Sequence, residues 1–131
     1  MSYQEVLSFW FDETPESNWW VKDTEFDLLI KSKFSLLHRQ ANQCELVGWR
    51  KTGKARLAEI IVLDQFSRNM YRDSPKAFAS DPLALALAQE AISQGMHQEL
   101  NAIQRSFLYL PFMHSESLYI HDVAVDLYTA N

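Results

Sequence analysis

The stretch Leu57-Ala58-Glu59-Ile60-Ile61-Val62-Leu63, continued by Asp64-Gln65-Phe66-Ser67-Arg68-Asn69-Met70-Tyr71-Arg72, decides the fold. Between Leu57 and Leu63 the one charged side chain is Glu59. A helix that is apolar on nearly every side is surrounded by other helices. The pattern predicts one long helix from Lys54 to Arg72, stopped by Asp73-Ser74-Pro75. Its second half places Asp64, Arg68 and Arg72 at i, i+4 and i+8, a row on one face. Gln65 and Asn69 form a row beside it, while Phe66 and Met70 stay in the core. Charges on a central helix need partners, because an unpaired buried charge is costly. Two readings stand side by side. In one, an Asp64–Arg68 pair and inter-helix hydrogen bonds fix the packing. In the other, Arg68 and Arg72 offer two forks for a carboxylate or phosphate.

Outward from this helix, the 131 residues fit one domain, 1–131, long enough to bury a core without staples. A hydrophobic content of 47% and an aromatic content of 13% exclude disorder. With three Gly, four Pro and no alternating apolar run of strand length, the chain reads as helices joined by short turns. The net charge of −5 argues against nucleic acid as a partner. Cys44 is the one cysteine, so no internal disulfide forms. No signal peptide opens the chain, and no apolar run is long enough for a membrane span. A cytoplasmic protein is expected.

Taken in order, Ser2 and Glu5 form a capping-box pattern ahead of Val6, Leu7, Phe9 and Trp10. Trp19 and Trp20 pin a loop to the core. Asp23 or Thr24 caps a second helix with an apolar stripe of Phe26, Leu29, Ile30, Phe34, Leu37, Ala41 and Cys44. Lys22, Lys31, Lys33, His38 and Arg39 read as its solvated face, and Cys44 as an inert thiol in the stripe. Asp81 caps, and Pro82 starts, a helix that Gly95 ends. Asn101 caps the next, which Pro111 kinks or ends. Ser115 caps a last helix, with Glu116 in its first turn. The pairs 54–72 with 82–94, and 102–112 with 116–129, have the length of helical-repeat units.

The histidines and acids (His38, His114, His121, Glu116, Asp122) lack metal-ligand spacing, so neither a metal nor a cofactor is expected. Neither Ser67 nor Ser115 has a nucleophile-elbow context, and there is no glycine-rich phosphate loop. His114 and Glu116, beside Pro111, are acid–base candidates. If they face Asp64, Arg68 and Arg72, the set combines proton transfer with an anion clamp. Otherwise they serve the kink and the helix start.

These residues carry a resemblance. Val6-Leu7-Ser8-Phe9-Trp10-Phe11, Trp19-Trp20 with Lys22-Asp23, Phe26-Asp27, Leu63-Asp64-Gln65-Phe66-Ser67-Arg68-Asn69, Tyr71-Arg72, Ala79-Ser80-Asp81-Pro82-Leu83 and Leu110-Pro111-Phe112-Met113-His114-Ser115-Glu116 resemble, in order, the bacterial family catalogued as domain of unknown function 924. The resemblance implies an all-α fold similar to tetratricopeptide-repeat arrays of antiparallel helix pairs. It implies no activity. It also implies a further basic and aromatic C-terminal segment, which this chain lacks.

The expectation is thus a pocket lined by Asp64, Gln65, Arg68, Asn69, Arg72, His114 and Glu116 that binds a small anionic ligand or a peptide carboxylate. The alternatives are a hydrolase or lyase using His114 with Glu116, and a structural or protein-interaction module. A homodimer through the last two helices would cover the apolar face of Val123, Val125, Leu127 and Tyr128.

Overall fold

The computed structural model describes all 131 residues. Its elements are α1 (Tyr3–Leu7), α2 (Thr24–Asn42), α3 (Gly53–Ile61), α4 (Ser67–Met70), α5 (Asp81–Ser93), α6 (Ala102–Met113) and α7 (Leu118–Ala130), joined by short turns, with no strand. No helix is long and apolar enough to cross a membrane. A wide turn over Val62–Phe66 keeps right-handed helical geometry at both junctions, so α3 and α4 form one rod. Every residue from 57 to 67 in that rod is buried. The central position read from the apolar run is what the fold shows.

Side-chain bonds fix the direction of each neighbour. Along the rod, α2 runs antiparallel, since its early Asp27 meets Arg72 and its later His38 meets Ser67. On another side α5 is also antiparallel: Asp81 at its start meets Arg68, and Glu99 just beyond its end accepts from the Gly53 N–H at 3.0 Å. α7 returns along α6, with the Tyr128 hydroxyl donating to Ser106 O and the Asn131 amide to Ala102 O. The N-terminal aromatics plug the space between these helices. Trp10 is fully buried, its ring centroid 5.8 Å from Phe66, 5.7 Å from Phe107 and 6.1 Å from Trp19. Each such side chain stabilises by about 1.5–3 kcal/mol through burial alone.

Most polar groups inside this array are paired, the exceptions being Trp10 Nε1, Arg56 Nη1 and His97 Nδ1, which are buried without a partner. Glu59, the lone charge in the apolar run, takes a two-pronged bond from Arg50 at 3.0 and 2.9 Å. In the wide turn, Leu63 O accepts from Ser67 Oγ at 2.6 Å and Asp64 O from Arg68 Nη1 at 3.0 Å. A second wide turn, Ser8–Glu13, is closed by Thr14, whose N–H and hydroxyl both donate to Phe9 O. Trp19 Nε1 donates to Trp10 O at 3.0 Å, so Trp19 pins its loop by a hydrogen bond as well as by stacking.

Several local expectations are corrected. α6 passes through Pro111 and ends only at Met113. The proline has no N–H for the carbonyl four residues earlier, so one bond of α6 is unmade, but its ring is buried and the helix continues past it. Ser117, not Ser115, caps α7, accepting from Ile120 N–H, so Glu116 precedes the helix. Cys44 lies beyond α2, exposed and with φ of +59°, because the helix ends at Asn42. His38 is not solvated: it is buried against the rod. Ser67 spends its hydroxyl proton on Leu63 O, so it accepts from His38 Nε2 at 2.7 Å. Other expectations hold as read. Asn101 forms a full capping box with Gln104, and Gly95 sits past α5 with φ of +73°.

Two outcomes follow from this packing. A Cβ on Gly53 would lie 2.4 Å from the Met96 carbonyl oxygen, a backbone atom. Gly53→Ala is therefore expected to destabilise by about 1–3 kcal/mol, read as a lower urea midpoint at unchanged slope. The second outcome concerns pH. Burial lowers the pKa of His38 from its ordinary 6.5. The unfolded chain then takes up this proton at higher pH than the fold does. The stability contributed by neutral His38 is full above pH 6.5 and is lost as pH falls through the lower folded value. Urea midpoints between neutral and mildly acid pH should fall less steeply in His38→Gln than in the parent.

Candidate functional site

The polar row of the rod divides into two sets that face different neighbours. Asp64 is the centre of the first. Its side chain is 1% exposed, yet it gathers three donors. Arg68 Nη1 reaches Oδ1 at 3.2 Å, His114 Nδ1 reaches the same oxygen at 2.8 Å, and Gln65 Nε2 reaches Oδ2 at 3.2 Å. Arg68 also forks onto Asp81 at the start of α5, Nη1 to Oδ1 at 2.9 Å and Nη2 to Oδ2 at 3.0 Å. One guanidinium thus ties the rod to α5, and one carboxylate ties it to the end of α6.

The second set faces α2. Asp27 accepts from Arg72 Nε at 2.6 Å and Nη2 at 3.1 Å, and from Asn69 Nδ2 at 2.9 Å. The bond to Asp27 raises the Arg72 pKa further above its ordinary value, with the Asp27 and Asp73 charges adding to it against burial. Arg72 departs from the row because helical geometry stops at Met70. Tyr71 caps the end with φ of −124°, which swings the next side chain away. Asp64, Gln65, Arg68 and His114 therefore come together, while Asn69 and Arg72 stand apart with Asp27.

A hollow of about 620 Å³ opens over the first set. Its polar wall is Arg68, Asp81, His114, Ser115 and Glu116. Phe78, Pro82, Leu85 and Pro111 make the rest. That volume lies in the range of small-molecule pockets. A second hollow, about 560 Å³, lies beyond Phe78 and is bordered by Arg68, Arg72 and Asp73. Arg68 and Phe78 belong to both walls, with the guanidinium carbon 5.4 Å from the ring centroid.

The chemistry of the first hollow follows from His114. An ionised carboxylate only accepts, so Nδ1 carries a proton and donates it to Asp64. Nε2 makes no hydrogen bond within the protein, and the ring lines the hollow. Nε2 is thus the atom through which a proton can pass. Neighbouring Tyr128 is a poor candidate for that role. Burial, then the charges of Asp64 and Tyr109, push its hydroxyl pKa up, and it donates to Ser106 O at 2.7 Å. Glu116, exposed at the rim, makes no ion pair.

Sequence reasoning did not find Asp27 and Asp81 as the arginine partners. The sequence marks Asp81 as a helix cap, but Ser80 holds that position and Asp81 is the first residue of α5; Asp27 sits 45 residues from Arg72. The available signal is arithmetic: two arginines on a buried rod require carboxylates, and of those near in sequence Asp64 serves Arg68 while Asp73 forms its ion pair with Lys22.

Residues 6–131 match the family model described as a bacterial protein of unknown function, DUF924. The chain belongs to this family. A solved structure of a protein of unknown function from Agrobacterium tumefaciens is similar to this DUF924 chain. It shares 36% sequence identity with a TM-score of 0.93, and the match covers 98% of this chain and 72% of that one. No curated protein matches the chain. Family and fold are thereby shown for this DUF924 member, and the chemistry of its hollow is argued from geometry.

The shared partners of Asp64 give an unequal pair of outcomes. Arg68→Ala leaves a buried carboxylate without its cation and should cost about 3–5 kcal/mol. Adding Asp64→Asn removes that charge and should recover part of the loss. Arg72→Ala should cost less, since Asp27 is more exposed and keeps Asn69. Chemical denaturation of the three variants and the parent checks the order.

Proposed function

We propose that the hollow at the end of α6 is a reaction site in which His114, held by Asp64, transfers a proton, as in a hydrolase or lyase. The observation that carries this reading is the 2.8 Å bond from His114 Nδ1 to a carboxylate that is 1% exposed, with Nε2 left unpaired at the hollow. A buried carboxylate fixes both the tautomer and the ring orientation of a histidine, which is the arrangement of a positioned general base. In a hydrolysis, Nε2 takes a proton from a water as its oxygen bonds to the electrophilic carbon, then gives that proton to the leaving group as the bond from carbon to it breaks and its electron pair departs with it. In an elimination, Nε2 takes the proton from carbon as the leaving group departs with its electron pair.

Arg68 and Gln65 are positioning residues in this reading, because they act by holding Asp64. The anion clamp expected of Arg68 and Arg72 has less support. Each fork already faces a carboxylate, and the two guanidinium groups serve different neighbours.

Diethyl pyrocarbonate, which acylates unprotonated imidazole nitrogen, tests the reading without a known substrate. Peptide mapping is expected to find His114 modified and buried His38 spared. A protected His114 would remove the proton-transfer role. Against a panel of hydrolase and lyase substrates, His114→Ala should lower turnover by about 10²–10⁴-fold while leaving the dissociation constant nearly unchanged. Undiminished turnover in that variant would equally overturn the assignment.

A further inference from the structure

We infer that the hollow takes a ligand carrying a positive charge beside an apolar group, an aralkyl or alkyl ammonium, and not an anion. The inference rests on the hollow being the reaction site, and it adds the class of substrate. The charges at the site are one guanidinium, Arg68, against three carboxylates, Asp64, Asp81 and Glu116. Arg68 is bound on both Nη atoms, to Asp81 and to Asp64, and its positive charge is spent inside the wall. An anion entering the hollow meets the field of the remaining carboxylates without a free fork to receive it. Glu116 is the carboxylate left over. It stands at the rim with neither an ion pair nor a hydrogen bond, and it is free to meet a cation.

The apolar part of the wall points the same way. Phe78 is 59% exposed, and its ring already faces a cation, the Arg68 guanidinium carbon lying 5.4 Å from its centroid. Aromatic faces attract ammonium groups through the ring quadrupole. Pro82, Leu85 and Pro111 supply surface for a hydrocarbon body. The arrangement places a body against proline and leucine, a charge between Phe78 and Glu116, and the reacting atom near His114 Nε2.

Three probes of one shape separate the charge classes: benzylamine, protonated at neutral pH, benzyl alcohol and benzoate. Each is titrated into the isotope-labelled full chain at low salt, following the Phe78 ring, Glu116 and His114 by NMR. Benzylamine is expected to bind about tenfold tighter than benzyl alcohol, with benzoate weakest, and to weaken as salt is added. Glu116→Gln, at an exposed position where folding is not at risk, should erase most of that advantage. Phe78→Leu should reduce it in part. Benzoate binding as tightly as benzylamine, or no shift of these resonances by any probe, would overturn the inference. The pyrocarbonate result is independent. Modified His114 with a preference for benzoate leaves the proton-transfer site and removes the cationic substrate, and protected His114 with a preference for benzylamine does the reverse.

Discussion

A single buried carboxylate organises this end of the molecule. Asp64 is held where water does not reach, which is tolerable only if its charge is matched and its lone pairs are filled. Arg68, His114 and Gln65 do both. Each donor comes at a structural cost, because its own segment must be placed to within a few tenths of an ångström. Arg68 must then be balanced on its far side by Asp81, which fixes the start of α5. His114 must stand just past Met113 as the C-cap of α6, which fixes where that helix ends. The position of three segments thus depends on one charge, and the hollow is the space they enclose.

The helix register explains why the site has this membership. Asp64 lies inside the wide turn Val62–Phe66, and Arg68 lies one turn later in α4. Such turns change the phase of a helix and place polar backbone where side chains can reach it. Arg68 uses that access, bonding both the carbonyl and the carboxylate of Asp64. Arg72 would continue the same face on an unbroken helix. Instead the backbone turns at Tyr71, and its charge is delivered to α2.

What the chain discloses in advance follows the range of the interactions concerned. The buried rod could be read because burial of residues 57–67 is encoded in a contiguous apolar run. Caps such as Asn101, and the helix stop at Gly95, depend on neighbours three or four residues away, and these too were legible. Asp64 with Arg68 is local in the same sense. Asp27 and Asp81 were not legible, because nothing in a linear pattern says which distant carboxylate will meet a given guanidinium. His38 shows the converse failure. Its neighbours Lys31, Lys33 and Arg39 make that side of α2 look solvated. The ring is nonetheless buried, because Ser67 on the rod offers it an acceptor. Pro111 marks a break in the local pattern, but packing overrides it: the ring is buried and α6 continues to Met113.

Arg68 and Phe78 form a party wall between the two hollows. A group that drew the guanidinium toward one side would loosen its grip on Asp81 and reshape the other side at once. Linkage then requires that the two compartments alter each other's affinity by the same factor. One cation and one ring thus form the wall that the two compartments share.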